Sequence, residues 1–269
     1  MHFIKDFFWR VKEFFKNYFN LYRDRKAHSL QKELAQNSNV LFTQIKSGTT
    51  YFKNFFAAVN YFKFNFSGDF DLLCPEKYGA FRISRSNYKN IKKILTSCNK
   101  KYNNSMPFLI ITHHRERLPE KFSDKTKIVM TTRNKLDWVD SALDFKFIRR
   151  KKTISRKTAI NLLLKRYKET KFHQNNIKKE HNKALIVDFE NLFNDEEIIK
   201  IFQFLEIEIN LDLVNKVKKI ISKERIKEVE KKKGSALVGS NKLDTFFNNK
   251  KNKSNLTESE IKVILDYKD

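Results

Sequence analysis

Cysteine, proline and glycine are all scarce in this chain, at two, three and five of its 269 residues. Cys74 and Cys98 are too few for a disulfide scaffold or a cysteine-based zinc module. With so few glycines and prolines, no flexible linker divides the chain, and one α/β domain is the expected arrangement over residues 38–269, preceded by an N-terminal helical segment over 1–30. No stretch of 18 residues is apolar and free of charge, which excludes a membrane-spanning helix. Lys5, Asp6, Arg10, Lys12 and Glu13 interrupt any signal-peptide core, so a reduced, cytoplasmic protein is expected.

Acidic residues are the minority charge. Fifty-six Lys and Arg stand against 31 Asp and Glu, a net charge of +25. Such an excess suits phosphate-rich partners. Yet Lys outnumbers Arg 43 to 13, and Asn and Phe are abundant too, so A/T-rich codon usage accounts for part of the charge. Arginine, the better bidentate reader of phosphates and bases, is the scarce one. Residues 146–183 carry 14 Lys or Arg against Glu169 and Glu180, but no recognisable nucleic-acid module accompanies them. No specific nucleic-acid partner is expected.

Apolar residues are plentiful, at 40%, which is enough to bury a sizeable core. Phe3, Phe7, Val11, Phe14, Tyr18 and Tyr22 recur at helical spacing with basic residues opposite. Such a helix either packs on the body or lies on a membrane surface, making the protein peripheral. Continuous apolar runs at 39–43, 107–112, 127–132 and 184–188 predict buried strands. Helical patterns fall between and after them, at 51–59, 87–98, 134–147, 155–181, 195–206 and 211–231. A last short helix runs from Thr257 to Tyr267. Strands alternating with helices predict a central, mostly parallel sheet flanked by helices.

One of the five glycines sits in Lys46-Ser47-Gly48-Thr49-Thr50, between the first strand and the first helix of this alternation. Glycine lets the backbone turn closely around a ligand, and a helix N-terminus offers N–H groups and a favourable dipole to an anion. Lys46 adds positive charge, and the three hydroxyls add donors. A Walker loop needs a further glycine upstream, and none exists, which disfavours an ATP- or GTP-hydrolysing enzyme or a P-loop nucleotide kinase.

Lys46-Ser-Gly-Thr-Thr-Tyr51 resembles the phosphosulfate loop of sulfotransferases that use 3′-phosphoadenosine 5′-phosphosulfate (PAPS), with Ile45 and Tyr51 where that family has proline and tryptophan. Tyr51 keeps a flat ring able to stack on adenine. A second family signature matches Arg133-Asn134 with Ser141 eight residues after the arginine. By resemblance, this pair grips the 3′-phosphate. Ile111-Thr112-His113-His114 lies where soluble members carry Thr-His-Leu-Pro, so the resemblance implies a histidine general base, His113 or its neighbour His114. Phe189 takes the place of a tyrosine near the adenine, and Ser222 that of an adenine-loop serine. Lys232-Lys233-Gly234 resembles the Arg-Lys-Gly that closes over the 3′-phosphate.

The resemblance implies a P-loop-like α/β fold and sulfuryl transfer from PAPS as co-substrate. The acceptor is a hydroxyl or amine, and no metal is required. Segments 62–85 and 142–157, rich in Phe, Lys and Arg, are expected to form the acceptor pocket, a composition compatible with an acidic saccharide, a lipid headgroup or a phenol.

Overall fold

In the computed structural model, residues 22–44, 46–84, 86–148, 154–233 and 256–268 are described. The amphipathic segment expected before Tyr22 therefore lies outside them, as do the Asn- and Lys-rich residues 243–255.

Val40, Leu41 and Phe42 are essentially inaccessible to solvent, as are Leu109–Ile111 and Ile128–Met130. Runs of this kind, apolar at every position, form strands covered on both faces. They lie in β1 (Asn39–Thr43), β3 (Leu109–Thr112) and β4 (Ile128–Thr132). Two flanking strands, β2 (Ala80–Phe81) and β5 (Ala184–Asp188), complete a five-stranded sheet. The order is β2-β3-β1-β4-β5 and every pairing is parallel. The fold is thus the α/β architecture with a central parallel sheet and flanking helices.

Alternate residues supply two cores. Leu41, Ile111, Val129 and Val187 face α2 (Thr49–Lys63), α6 (Asp195–Phe204) and α7 (Leu211–Ile220). There Phe52, Phe55 and Phe56 of α2 meet Phe202 at ring-centroid distances of 5.5–6.0 Å. Burying each such side chain contributes roughly 1.5–3 kcal/mol. Val40, Phe42, Ile110 and Met130 face the other way, toward α1 (22–35), α3 (Tyr88–Tyr102) and the end of α5 (Arg156–Glu180). Ala27, Leu30 and Ala35 bury α1 in this second core.

A third cluster joins α4 (Lys135–Leu143), α5 and the C-terminal α9 (Glu258–Asp266) through Trp138, Leu164, Tyr167 and Ile264. Asn134 caps α4 by accepting from Leu136 N, and Thr257 and Glu260 form a capping box at α9. The helix expected over 211–231 is two helices, α7 and α8 (Lys223–Lys233). Ser222 interrupts them because its hydroxyl accepts from Arg225 N and starts a new helix.

The topology decides where a ligand meets the sheet. From β1 the chain crosses to β2 on one side, and β4 returns on the other. The crevice beyond the carboxyl ends of the central strands is therefore open. Thr43, Thr112 and Thr132 end β1, β3 and β4 side by side there.

Candidate functional site

The loop after β1 turns through two left-handed residues, Lys46 (φ 68°) and Gly48 (φ 79°). Gly48 is the N-cap of α2, and no side chain caps the first amides of that helix. A Cβ at Gly48 would collide with Leu192 Cδ1 and touch Phe189 Cδ2 at 3.1 Å, so the loop is pressed against the turn after β5 (Phe189–Phe193). Around it, buried polar atoms lack hydrogen-bond partners: Ser47 Oγ, both side-chain heteroatoms of Gln44, Thr132 Oγ1 and Arg133 Nε. Groups buried this way cost about 1–3 kcal/mol each unless something pairs with them. The donors among them, the two hydroxyls, Gln44 Nε2 and Arg133 Nε, with uncapped amides and a glycine that leaves room, fit an anionic group.

Arg133 follows β4 directly. Its Nη1 donates to the carbonyl of Lys46 at 3.2 Å, and its guanidinium lies 4.6 Å above the centroid of the Phe189 ring. Glu190 approaches Nε at 3.9 Å, and Tyr167 Oη donates to the Arg133 carbonyl at 3.1 Å. The arginine is thus tied to the loop, with Nε near a carboxylate but without a hydrogen-bond partner. The Lys46 ammonium rests 4.9 Å from the centroid of Phe145, in the π-helical extension of α4 (Asp144–Ile148). Ser141 sits half-buried two turns along α4.

His113 follows β3. Its Nδ1 lies 3.0 Å from the Thr43 carbonyl and 2.8 Å from Thr43 Oγ1, which in turn lies 2.7 Å from Thr49 Oγ1. A carbonyl only accepts, so Nδ1 carries the proton, the Thr43 hydroxyl donates to Thr49, and Nε2 presents a lone pair. Burial pushes the His113 imidazole down to about 3. Arg82 adds to this, as do His114 and Arg166, and only the Thr43 hydrogen bond opposes it. The ring is therefore neutral at pH 7. His114, beside it, faces Glu116 with Nδ1 3.2 Å from Oε1, and both histidines line one cleft. Burial lowers the His114 pKa too, partly offset by that carboxylate.

The remaining sequence candidates divide between the loop and more distant positions. Thr50 lies in the first turn of α2. Tyr51 packs on Phe193 at 4.7 Å, and Phe193 on Phe189 at 5.3 Å, so the two expected adenine contacts share one aromatic cluster. Burial, with Asp195 adding, raises the Tyr51 hydroxyl to about 12. The Ser222 hydroxyl caps α8. Lys232 is exposed and paired with Glu228 at 2.8 Å on its own helix. The Lys233 side chain and Gly234 lie outside the described residues.

A cleft of about 650 Å³ opens at His113. Phe147 and Ile154, from 142–157, line it, and among the described residues no member of 62–85 does. Its other wall is α5, through Leu162, Arg166 and His173. Residues from 66 to 78 instead face α3 around a separate cleft. Sequence reading also passed over Thr43, Arg82 and Arg166, whose relation to His113 exists only once β1, β2, β3 and α5 are assembled. Among the described residues, no cluster of His, Cys, Asp and Glu is arranged to hold a metal ion, and no helix is long and apolar enough to cross a membrane.

The model of the sulfotransferase domain family matches residues 37–264. Among solved structures, the mouse sulfotransferase SULT7A1 complexed with PAP aligns at 17% identity with a TM-score of 0.57, covering 85% of this chain and 81% of that one. Retinol dehydratase in complex with retinol and PAP aligns at 12% identity and a TM-score of 0.48, covering 77% of this chain and 72% of that chain. No curated protein matches.

Proposed function

The chain belongs to the sulfotransferase domain family, and on that footing we propose that it transfers a sulfuryl group from PAPS to a hydroxyl or amine of an acceptor. PAPS supplies the activated sulfuryl group and leaves as a more highly charged phosphate. Lys46, Ser47, Thr49, Thr50 and the amides following Gly48 would hold its 5′ end, and Arg133 with Ser141 its 3′-phosphate. The unpaired Ser47 Oγ and Arg133 Nε are the atoms such a ligand would satisfy. Lys46 neutralises the charge that develops at the loop, an electrostatic contribution made with a group already in place.

His113 takes the acceptor proton at Nε2. The Thr43 carbonyl fixes the tautomer that makes this possible. The observation that carries the reading is the chain Thr49–Thr43–His113, which fixes the base to the anion loop through two contacts under 3 Å. Positioning of this kind accounts for much of catalysis in group transfer.

The test is transfer of radiolabelled sulfate from PAPS to a panel of hydroxyl and amine acceptors by the wild type, Lys46→Ala and His113→Ala, together with thermal shifts. A rise in Tm with 3′-phosphoadenosine 5′-phosphate, absent with ATP or an oligonucleotide, is expected, with transfer lost in both variants. A folded protein that ignores the nucleotide, or a Lys46→Ala variant of undiminished activity, overturns the proposal. Stabilisation by ATP or by the oligonucleotide instead would favour a kinase or a nucleic-acid-binding protein.

A further inference from the structure

Arginine is rare in this chain, yet four of its 13 flank the two histidines: Arg82, Arg115, Arg117 and Arg166. Two of the four have structural employment. Arg115 Nη1 donates to the Pro119 carbonyl at 2.9 Å, and Arg117 Nη1 to the Ile83 carbonyl at 3.4 Å. Among the described residues, the guanidinium groups of Arg82 and Arg166 have neither a hydrogen-bond acceptor nor a carboxylate partner.

Both lie near His113 on different elements, Arg82 exposed after β2 and Arg166 half-buried on α5. Arg82 directly follows β2, whose Phe81 pairs with Ile110 of β3, so it stands beside the strand end that carries His113. Arg166 is half-buried on α5 and lines the same cleft as His113. The positive charge of each is felt by the imidazole. Lys53 of α2 is half-buried near Arg82, with Glu76 as the carboxylate that acts on it.

The carboxylates at the cleft do not balance this charge. Glu116 is taken by His114 at 3.2 Å and Glu169 faces Lys165 at 4.0 Å. Phe147, Ile154 and Leu162 leave the rest of the wall apolar. Arg82 and Arg166 beside a neutral base, with no carboxylate paired to either among the described residues, form a site that a ligand's negative charge completes.

We propose, on the basis of the sulfotransferase reading, that the acceptor carries an anionic group close to its reactive hydroxyl, and that Arg82 and Arg166 bind that group beside His113. A planar carboxylate, a phosphate or a sulfate each matches the guanidinium fork. The acceptor hydroxyl then lies at Nε2 while its negative charge is held by the two arginines, and the carbon skeleton rests on Phe147 and Leu162. Acidic saccharides and phosphorylated headgroups both present this chemistry.

Matched acceptor pairs test it. Phenyl β-D-glucoside and phenyl β-D-glucuronide form one pair, and glycerol and glycerol 3-phosphate the other. Each is assayed for labelled sulfate transfer and, with 3′-phosphoadenosine 5′-phosphate present, for equilibrium binding. The charged member of at least one pair is expected to be preferred by about tenfold or more in kcat/KM. Arg82→Ala and Arg166→Ala should each raise KM for the charged member about tenfold, affect the neutral member much less, and keep the nucleotide-induced Tm shift. Preference for the glucuronide indicates a saccharide source, and preference for glycerol 3-phosphate a headgroup source.

Equal use of both members of each pair, equal loss in the variants, or a nucleotide-binding protein that takes neither member overturns the inference. A wild type that does not bind the nucleotide overturns the sulfotransferase reading itself, a result recognised by the Tm shift before any acceptor is added.

Discussion

Nδ1 of His113 and the carbonyl of Thr43 lie 3.0 Å apart, although 70 residues separate them in sequence. This contact sets the imidazole tautomer. The adjoining 2.8 Å and 2.7 Å contacts of Thr43 Oγ1 link the ring to the start of α2. The proton-accepting and anion-binding halves of the site thus meet at one threonine.

Thr43→Val keeps the branched shape of a buried strand residue and removes the hydroxyl that joins these halves. It should lower kcat by about tenfold, with nucleotide affinity changed much less, and cost about 1–2 kcal/mol of stability. Thr43→Ser should restore most of both. Steady-state kinetics and urea melts of the three proteins check this, and a valine variant with wild-type kcat would remove Thr43 from the mechanism.

His28, His113 and His114 are all held below the ordinary histidine value of 6.5, chiefly by burial, His113 down to about 3. At these groups the unfolded chain therefore binds more protons near pH 6.5 than the folded one does. The stability present above that pH is lost as pH falls from 6.5 toward 3. Tm should drop on acidification from about pH 7 to pH 5. His113→Asn should flatten the slope by up to one proton, about 1.4 kcal/mol per pH unit. Parallel wild-type and variant curves would contradict the depressed His113 value.

Gly48 has φ 79° and its missing Cβ would strike the Leu192 side chain. Gly48→Ala should therefore destabilise the protein by about 1–3 kcal/mol and abolish the thermal shift with 3′-phosphoadenosine 5′-phosphate. Gly68, with a similar φ of 78° but nothing within 4 Å of its missing Cβ, is the control. Gly68→Ala carries the backbone strain without the collision and should leave nucleotide binding intact.

Arg133 binds the Lys46 carbonyl, lies over Phe189 and keeps Nε free of hydrogen bonds. Arg133→Lys retains the charge but not the fork or the flat face. It should weaken nucleotide binding by about tenfold, close to the loss in Arg133→Ala. Titration calorimetry distinguishes this from a purely charge-based role, in which lysine would rescue most of the affinity.

Much of this architecture is legible from sequence. The strands of Val40, Ile110, Val129 and Leu185 announce themselves because parallel strands covered on both faces need no polar alternation. β2 escapes because Ala80 and Phe81 are too few for any period to show. The break between α7 and α8 escapes because the apolar positions Val214, Val217 and Ile221 run into Ile226, and only Ser222 marks the new start. The anion loop is visible because Lys46, Ser47, Gly48 and Thr49 are neighbours in the chain. The cleft is not, because Arg82, His113 and Arg166 become neighbours only through strand pairing and helix packing.

Lys46 occupies the left-handed region at φ 68°, where an ordinary side chain costs about 1–2 kcal/mol that glycine would avoid. A glycine there would make the empty protein sturdier and remove the ammonium beside the anion loop. Laboratory evolution of this chain for heat resistance, scored on folding alone, should therefore discard Lys46 early and deliver a durable but inert protein. Scored on turnover, the same libraries should keep it and gain their stability elsewhere.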